Sequence, residues 1–321
     1  MNAALHGLVR ILRDGLNTNS YKFALARSLV KWARASNERR LEISRRWLAE
    51  EFVRLYWPLT VLFHLRQATD PWRDPVVMRL IRDVSRKHSF CPETKVLTLL
   101  ERFPKEHEEL VSRVERQAFR DVLPRFHTVR HAKVSPLLYN VSVAGVTLTP
   151  GGLDSLRLFG DAVDFMALGA WVRFTEQYSS APHLFEKLEG SLFRGSLSNY
   201  RKFFVHYQGN RCFYCGLECG SKAAVDHMIP WSFVGEDRLW NLVLSCAACN
   251  SGESDRIPEE EFIRHLSDRN RALLSVTDLP KALKKDLREW LREDALDKHL
   301  RSLVDRCRDD GVGVWAGPSL K

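Results

Sequence analysis

The stretch CFYCGLECGSKAAVDHMIPWSFVGEDRLWNLVLSCAACN, Cys212 to Asn250, carries two cysteine pairs, each with two residues between its members. Such a step lets two thiolates reach one ion from a single tight turn, and a second pair some way along the chain closes a tetrahedron. Cys212, Cys215, Cys246 and Cys249 therefore have the spacing of one zinc site. With four thiolates no coordination position remains for water, so the zinc is structural. Taken alone, the cysteines suit a plain zinc ribbon, binding nucleic acid or protein, as well as an enzyme. The residues between them tip the balance. Residues 223–230 form a short apolar run interrupted by Asp226 and His227, and Asn241-Leu242-Val243-Leu244 reads as a second strand entered through an Asn turn. Cys246 to about Asp255 suits a short helix, stopped before Pro258. The expected unit is two strands and a helix, with Asp226, His227 and Asn250 converging on one face.

Three blocks within this stretch, CFYC at Cys212–Cys215, VDHMIPWS at Val225–Ser232 and NLVLSCAACN at Asn241–Asn250, resemble the HNH (ββα-metal) endonucleases of the four-cysteine kind. The resemblance covers about fifty of the 321 residues. It implies that His227 is the general base, that Asp226 and Asn250 hold a catalytic divalent ion, and that Asn241 braces the loop carrying the base. One position departs from the pattern. Similar proteins often have Lys shortly after the final Asn, and this chain has Glu253, leaving Arg256 or Lys222 as candidate substitutes for the missing cation.

The chemistry suits those residue types. An imidazole with an ordinary pKa of about 6.5 is largely neutral at cellular pH and can take a proton from water. A carboxylate and an amide oxygen are hard ligands, which favours Mg2+ or Mn2+ beside the closed Zn2+. A metal also helps so small a module to fold, because few residues bury little apolar surface.

Hydrophobic residues make up 45% of the chain and charged ones 28%, the balance of an ordinary soluble protein. Four of the seven cysteines lie at metal spacing, which argues against a disulfide framework; Cys91, Cys219 and Cys307 are left over, Cys219 being near enough to the first pair to be an alternative ligand. No signal peptide is evident in residues 1–20, and the apolar run near Leu59 to Leu65 is too short for a membrane span. A cytoplasmic protein without membrane insertion is expected.

The charge is lopsided. Residues 1–90 hold 17 Lys and Arg against 8 Asp and Glu, so the whole formal surplus of +9 lies in that segment. This points to a polyanion-facing surface, with Lys22, Arg27, Lys31, Arg34, Arg39, Arg40, Arg45 and Arg46 as candidate nucleic-acid contacts, and Arg201, Lys202 and Arg211 at the entry to the first knuckle. A solvated helical face is the plainer alternative.

The predicted architecture is mainly α with a small α+β module. Residues 1–180 form a mostly helical, basic domain for DNA binding or regulation, 181–257 the zinc-stapled HNH domain, and 258–321 a helical segment. Tyr21, Leu25, Leu29 and Trp32 recur at helical spacing, and these aromatics are expected in the core rather than as base-stacking platforms. Pro58 should kink or split the helix through Trp47 and Leu55. Val141 to Leu148 is expected to form a small β element, Asp154 to about Gln177 a helix, and Leu279-Pro280 to begin another containing Leu283, Leu287, Trp290 and Leu291. Asp309 to Lys321 is expected as a loose tail.

The run NTNSYKFALARSLV at Asn17–Val30 is similar to the opening of stand-alone HNH proteins of bacterial restriction and phage-defence loci, which implies an antiviral role with other defence proteins, as in systems of the Zorya kind. The expected activity is metal-dependent cleavage of double-stranded DNA, nicking as a monomer. A non-catalytic zinc-ribbon module and an RNA-directed nuclease are the alternatives, and oligomeric state stays open.

Overall fold

The computed structural model describes residues 3–35, 41–88, 101–135, 138–192, 194–276, 279–288 and 293–318. They divide into two units: Met1–Ser179 with Leu184–Ser191, and Ser180–His183 with Leu192–Lys321. The fold is mainly helical, with small sheets. Among the described residues no helix is long and apolar enough to cross a membrane.

The first unit contains α1 (Ala3–Asp14), α2 (Tyr21–Ala35), β1 (Glu42–Ser44), α3 (Arg45–Trp57), α4 (Val76–His88), α5 (Pro104–Gln117) and α6 (Phe119–Arg125). A hairpin of β2 (Thr128–Val129) and β3 (Ala132–Lys133) follows, then β4 (Tyr139–Val141), β5 (Gly145–Leu148), α7 (Pro150–Leu158), α8 (Gly160–Thr175) and α9 (Leu184–Glu189). The Asn19 side chain accepts from Tyr21 N–H at 3.1 Å as α2 begins. Ser44 Oγ accepts from Trp47 N–H at 3.1 Å and caps α3. Pro58 has no N–H to continue that helix, which loosens into a π turn over Pro58–Leu62. Ala24, Leu25, Ala26 and Leu29 are fully buried, and the small alanines let α2 pack closely on α8 and α7.

Of the aromatics expected in the core Tyr21 is buried, whereas Trp32 is half-buried and meets half-buried Trp47 edge-on. Tyr21 meets Phe52 and Tyr56 edge-on, and buried Trp171 donates from Nε1 to Gln67 Oε1 at 2.6 Å. The expected β element is a three-stranded antiparallel sheet in the order β1-β5-β4. Gly145 is required there, since a Cβ would lie 2.0 Å from the Ile43 carbonyl oxygen. The helix expected from Asp154 to Gln177 is instead two, α7 and α8, parted at Phe159.

The second unit contains α10 (Ser198–Tyr207), β6 (Ala224–His227), α11 (Trp231–Val234), β7 (Leu242–Ser245), α12 (Ala247–Glu253), β8 (Ile257–Pro258), α13 (Glu260–Leu274), α14 (Lys281–Arg288), α15 (Glu293–Asp309) and β9 (Val314–Trp315). β6 and β7 pair antiparallel, with Asp226 opposite Val243 and His227 opposite Leu242. The helix α10 packs on this pair, where Gln208 Oε1 accepts from Leu244 N–H at 3.2 Å. Trp290 and Leu291 lie outside the described residues, as does the side chain of Leu287; Leu283 is buried.

The tail departs from expectation. Past Asp309 the chain returns as β9, parallel to β8, with Ile257 N–H donating to Gly313 O at 2.9 Å and Glu259 N–H to Trp315 O at 3.1 Å. Trp315 stacks on Phe262 and meets Tyr214 edge-on with ring centres 5.0 Å apart. Burying the Trp315 ring outweighs the flexibility that the neighbouring glycines suggest in sequence.

Candidate active site

The first knuckle is a tight turn in which Gly216 N–H donates to Cys212 O at 2.9 Å and Gly216 adopts φ 70°. In the second, Cys246 precedes the first residue of α12 and Cys249 lies within it. The four Sγ atoms of Cys212, Cys215, Cys246 and Cys249 fall within 4.8 Å of one another. Cys215 and Cys246 are 3.9 Å apart. A zinc tetrahedron with Zn–S of about 2.3 Å has an S···S edge of ~3.8 Å, so donor type and spacing fit that ion. Cys219 is not in this group, although burial and the neighbouring Cys212, Cys246 and Cys215 push its thiol up to about 11. Cys307 is buried in α15, and Cys91 lies outside the described residues.

The knuckles hold β6, β7 and α12 around Asp226, His227 and Asn241. Asn241 is fully buried and clamps the chain after β6 by both ends of its amide. Its Oδ1 accepts from Ile229 N–H and its Nδ2 donates to Ile229 O, each at 2.8 Å. Asn250 lies on α12, which packs against β6.

His227 is buried between two groups of opposite character. Its Nε2 is 2.9 Å from Asp237 Oδ1 and its Nδ1 is 3.3 Å from Arg194 Nη2. An ionised carboxylate only accepts and a guanidinium only donates, so the proton belongs on Nε2 and the lone pair on Nδ1. Burial lowers the pKa of His227 and keeps the ring neutral; Asp237 works against that shift and Arg194 reinforces it. Burial raises Asp237, yet hydrogen bonds from His227 and Gly195 N–H, with Arg194 nearby, hold it below the usual carboxylate value.

Asp226 accepts from His227 N–H at 2.9 Å and from Tyr214 O–H at 3.3 Å, both neutral donors. Burial pushes its carboxyl up to about 7. A buried carboxylate held by neutral donors has the character of a hard-cation ligand, so Asp226 is a residue that could hold a divalent ion, with the Asn250 amide on the adjoining helix as a second oxygen donor of the same hard type. Glu253 ends α12 fully buried, and neither carboxylate oxygen has a hydrogen-bond partner. Burial, then the charges of Asp226 and Asp255, push it up to about 11. Arg256 does not occupy the role of the missing cation, because its guanidinium serves the carbonyls of Gly252 and Glu253.

The helices after residue 258 support this loop. Asn270 donates to Trp240 O at 2.8 Å, and half-buried Arg269 donates to Leu242 O at 2.8 Å and Leu239 O at 3.2 Å. Asp286 accepts from Arg238 at 3.2 Å and from Tyr200 O–H at 2.6 Å, and the Tyr200 hydroxyl also lies 3.0 Å from Asp237 O. Asp237, Arg194 and Tyr214 are site residues that sequence reasoning missed. Tyr214 lies inside the quoted CFYC block, whereas Asp237 and Arg194 sit in loops with no fixed spacing from the motif.

Most of the described basic residues singled out in sequence are engaged within the protein. Lys22 is buried, donates to Thr128 O at 2.8 Å, and is lowered in pKa by burial. Arg27 pairs with Asp164 at 2.9 Å, Lys31 with Glu51 at 2.5 Å and Arg34 with Asp161 at 2.6 Å. Arg46 bridges Glu50 and Glu108, and Arg45 is half-buried. Arg39 and Arg40 lie outside the described residues. In the second unit Arg201 donates to Ala223 O and Ser221 O, Arg211 to Gly216 O, and Lys202 is exposed.

Residues 212–256 match the family profile described as HNH endonuclease. The chain thus carries an HNH endonuclease domain, of the kind with a four-cysteine site. It is also similar to the CRISPR-associated endonuclease Cas9 of Streptococcus mutans, at 32% identity over 83 residues, 25% of this chain and 6% of that protein. The match therefore spans only a small part of that relative's length.

Proposed function

We propose that this chain is a metal-dependent HNH endonuclease that hydrolyses phosphodiester bonds in double-stranded DNA, one strand per engagement. The observation that carries this reading is the setting of His227: buried, with Nε2 on the Asp237 carboxylate and Nδ1 on the Arg194 guanidinium, and next in sequence to buried Asp226. In this reading Nδ1 takes the proton of an attacking water, and the Asp237 carboxylate holds the ring and stabilises the imidazolium that results. Arg194 offers positive charge where the phosphate must lie, and a bound phosphate draws its guanidinium from Nδ1 so that water can enter. Asp226 and Asn250 would hold the divalent ion, which would supply charge neutralisation at the phosphoryl group and stabilisation of the leaving oxygen. Asn241 fixes the loop that sets the angle of His227.

Duplex DNA is the assigned substrate because the charge surplus of residues 1–90 suits a polyanion. The likeness of residues 17–30 to defence-locus proteins supports an antiviral role in the cytoplasm with partner proteins. Incubation with supercoiled plasmid, linear DNA and RNA, in Mg2+ or EDTA, tests the reading. Conversion of supercoiled plasmid to nicked circles, abolished by EDTA and by His227→Ala, is expected. Cleavage of RNA alone would overturn the substrate, and inertness towards all three would leave a non-catalytic zinc module.

A further inference from the structure

We propose that Glu253 is a third protein ligand of the divalent-ion site, joining Asp226 and Asn250; this rests on the endonuclease reading above and adds a second carboxylate to its metal centre. Glu253 lies three residues after Asn250 on α12, so the two side chains share one face of the helix. Its side chain is fully excluded from solvent, and neither oxygen has a hydrogen-bond donor. A carboxylate so placed is costly unless something positive meets it. Among the described residues no group does. Tyr214 gives its hydroxyl hydrogen to Asp226, and Arg256, the cation acting on Glu253, turns its guanidinium to the carbonyls of Gly252 and Glu253. The charges that bear on Glu253 most are the carboxylates of Asp226 and Asp255.

Two buried carboxylates thus stand on β6 and α12, the two elements that pack together here, and Asn250 lies one turn before Glu253 on α12. All three offer hard oxygen, which selects Mg2+, Mn2+ or Ca2+ over a soft ion, and the thiolate site close by takes zinc instead. The plainer account of Glu253 is a buried acid that keeps its proton. Glutamine imitates that neutral acid in shape and hydrogen-bonding capacity, so Glu253→Gln separates the two.

The measurement is Mn2+ affinity of the full chain without nucleic acid, read from loss of the free-ion electron paramagnetic resonance signal, for wild type, Glu253→Gln and Asp226→Asn. Zinc content and circular dichroism check that each variant is folded. Wild type should bind Mn2+ and be thermally stabilised by it, with Glu253→Gln weakening affinity about tenfold or more. If Glu253→Gln matches wild type while Asp226→Asn loses the ion, Glu253 is no ligand and the endonuclease site stands without it. If wild type takes up no Mn2+, the divalent site itself falls, and the proposal with it. Should the glutamine variant lose zinc or fold, Glu253→Asp keeps the charge on a shorter arm. A weakened affinity there supports the proposal and an unchanged one overturns it.

Discussion

His227 is held by opposite charges, with a carboxylate on Nε2 and a guanidinium on Nδ1. Asp237→Asn replaces an obligate acceptor by an amide that can donate instead, so the ring is free to adopt the wrong tautomer. Turnover of plasmid should fall about 10²–10⁴-fold with circular dichroism and zinc content unchanged. An Asp237→Asn protein that cuts like wild type would remove Asp237 from the mechanism. At this scale the motif made Asp226, His227, Asn241 and Asn250 legible, because their order and spacing are fixed by two strands and a helix. Asp237 and Arg194 were illegible because loops bring them in. Glu253 was visible in sequence only as a missing lysine; burial changes its meaning.

The elements show two dependences on chemistry. Cys246→Ala opens the second knuckle where α12 begins, and a module this small lacks the apolar burial to compensate. That variant should lose zinc and the cooperative unfolding of the second unit, whereas His227→Ala should keep both and lose only cleavage; calorimetry with a zinc assay checks this. In the first unit His127 is buried, and its Nε2 accepts from Leu138 N–H at 3.1 Å, which needs the neutral ring. Burial, with Lys133 and Lys22 nearby, lowers its pKa to about 4. The unfolded chain takes up that proton below about pH 6.5 while the folded one does not, so the stability His127 lends above pH 6.5 is lost as pH falls towards 4. The loss amounts to about 3 kcal/mol at most. Urea midpoints of wild type should drop over this window more than those of His127→Gln. Helix positions were readable from periodicity and proline, but the pairing of β8 with β9 was not, since a two-residue strand leaves no period.

For the whole molecule, net charge was readable and its disposition was not. The count of residues 1–90 foresees a basic surface, yet Arg27, Lys31, Arg34 and Arg46 pair with acids and Lys22 is buried. Fewer cations than the tally suggests are therefore available to phosphates. Duplex binding by the full chain should still weaken about tenfold or more between 50 and 300 mM salt, with a slope that counts the contacts made. Binding that hardly changes over that range would remove the polyanion assignment. The pairing of β8 and β9 carries a consequence for how the protein is made. Trp315 buttresses Tyr214, whose hydroxyl holds Asp226. During translation the motif of residues 212–256 emerges well before residue 315, so a nascent chain carries Asp226, His227 and Asn250 while the buttress behind Tyr214 is still unsynthesised.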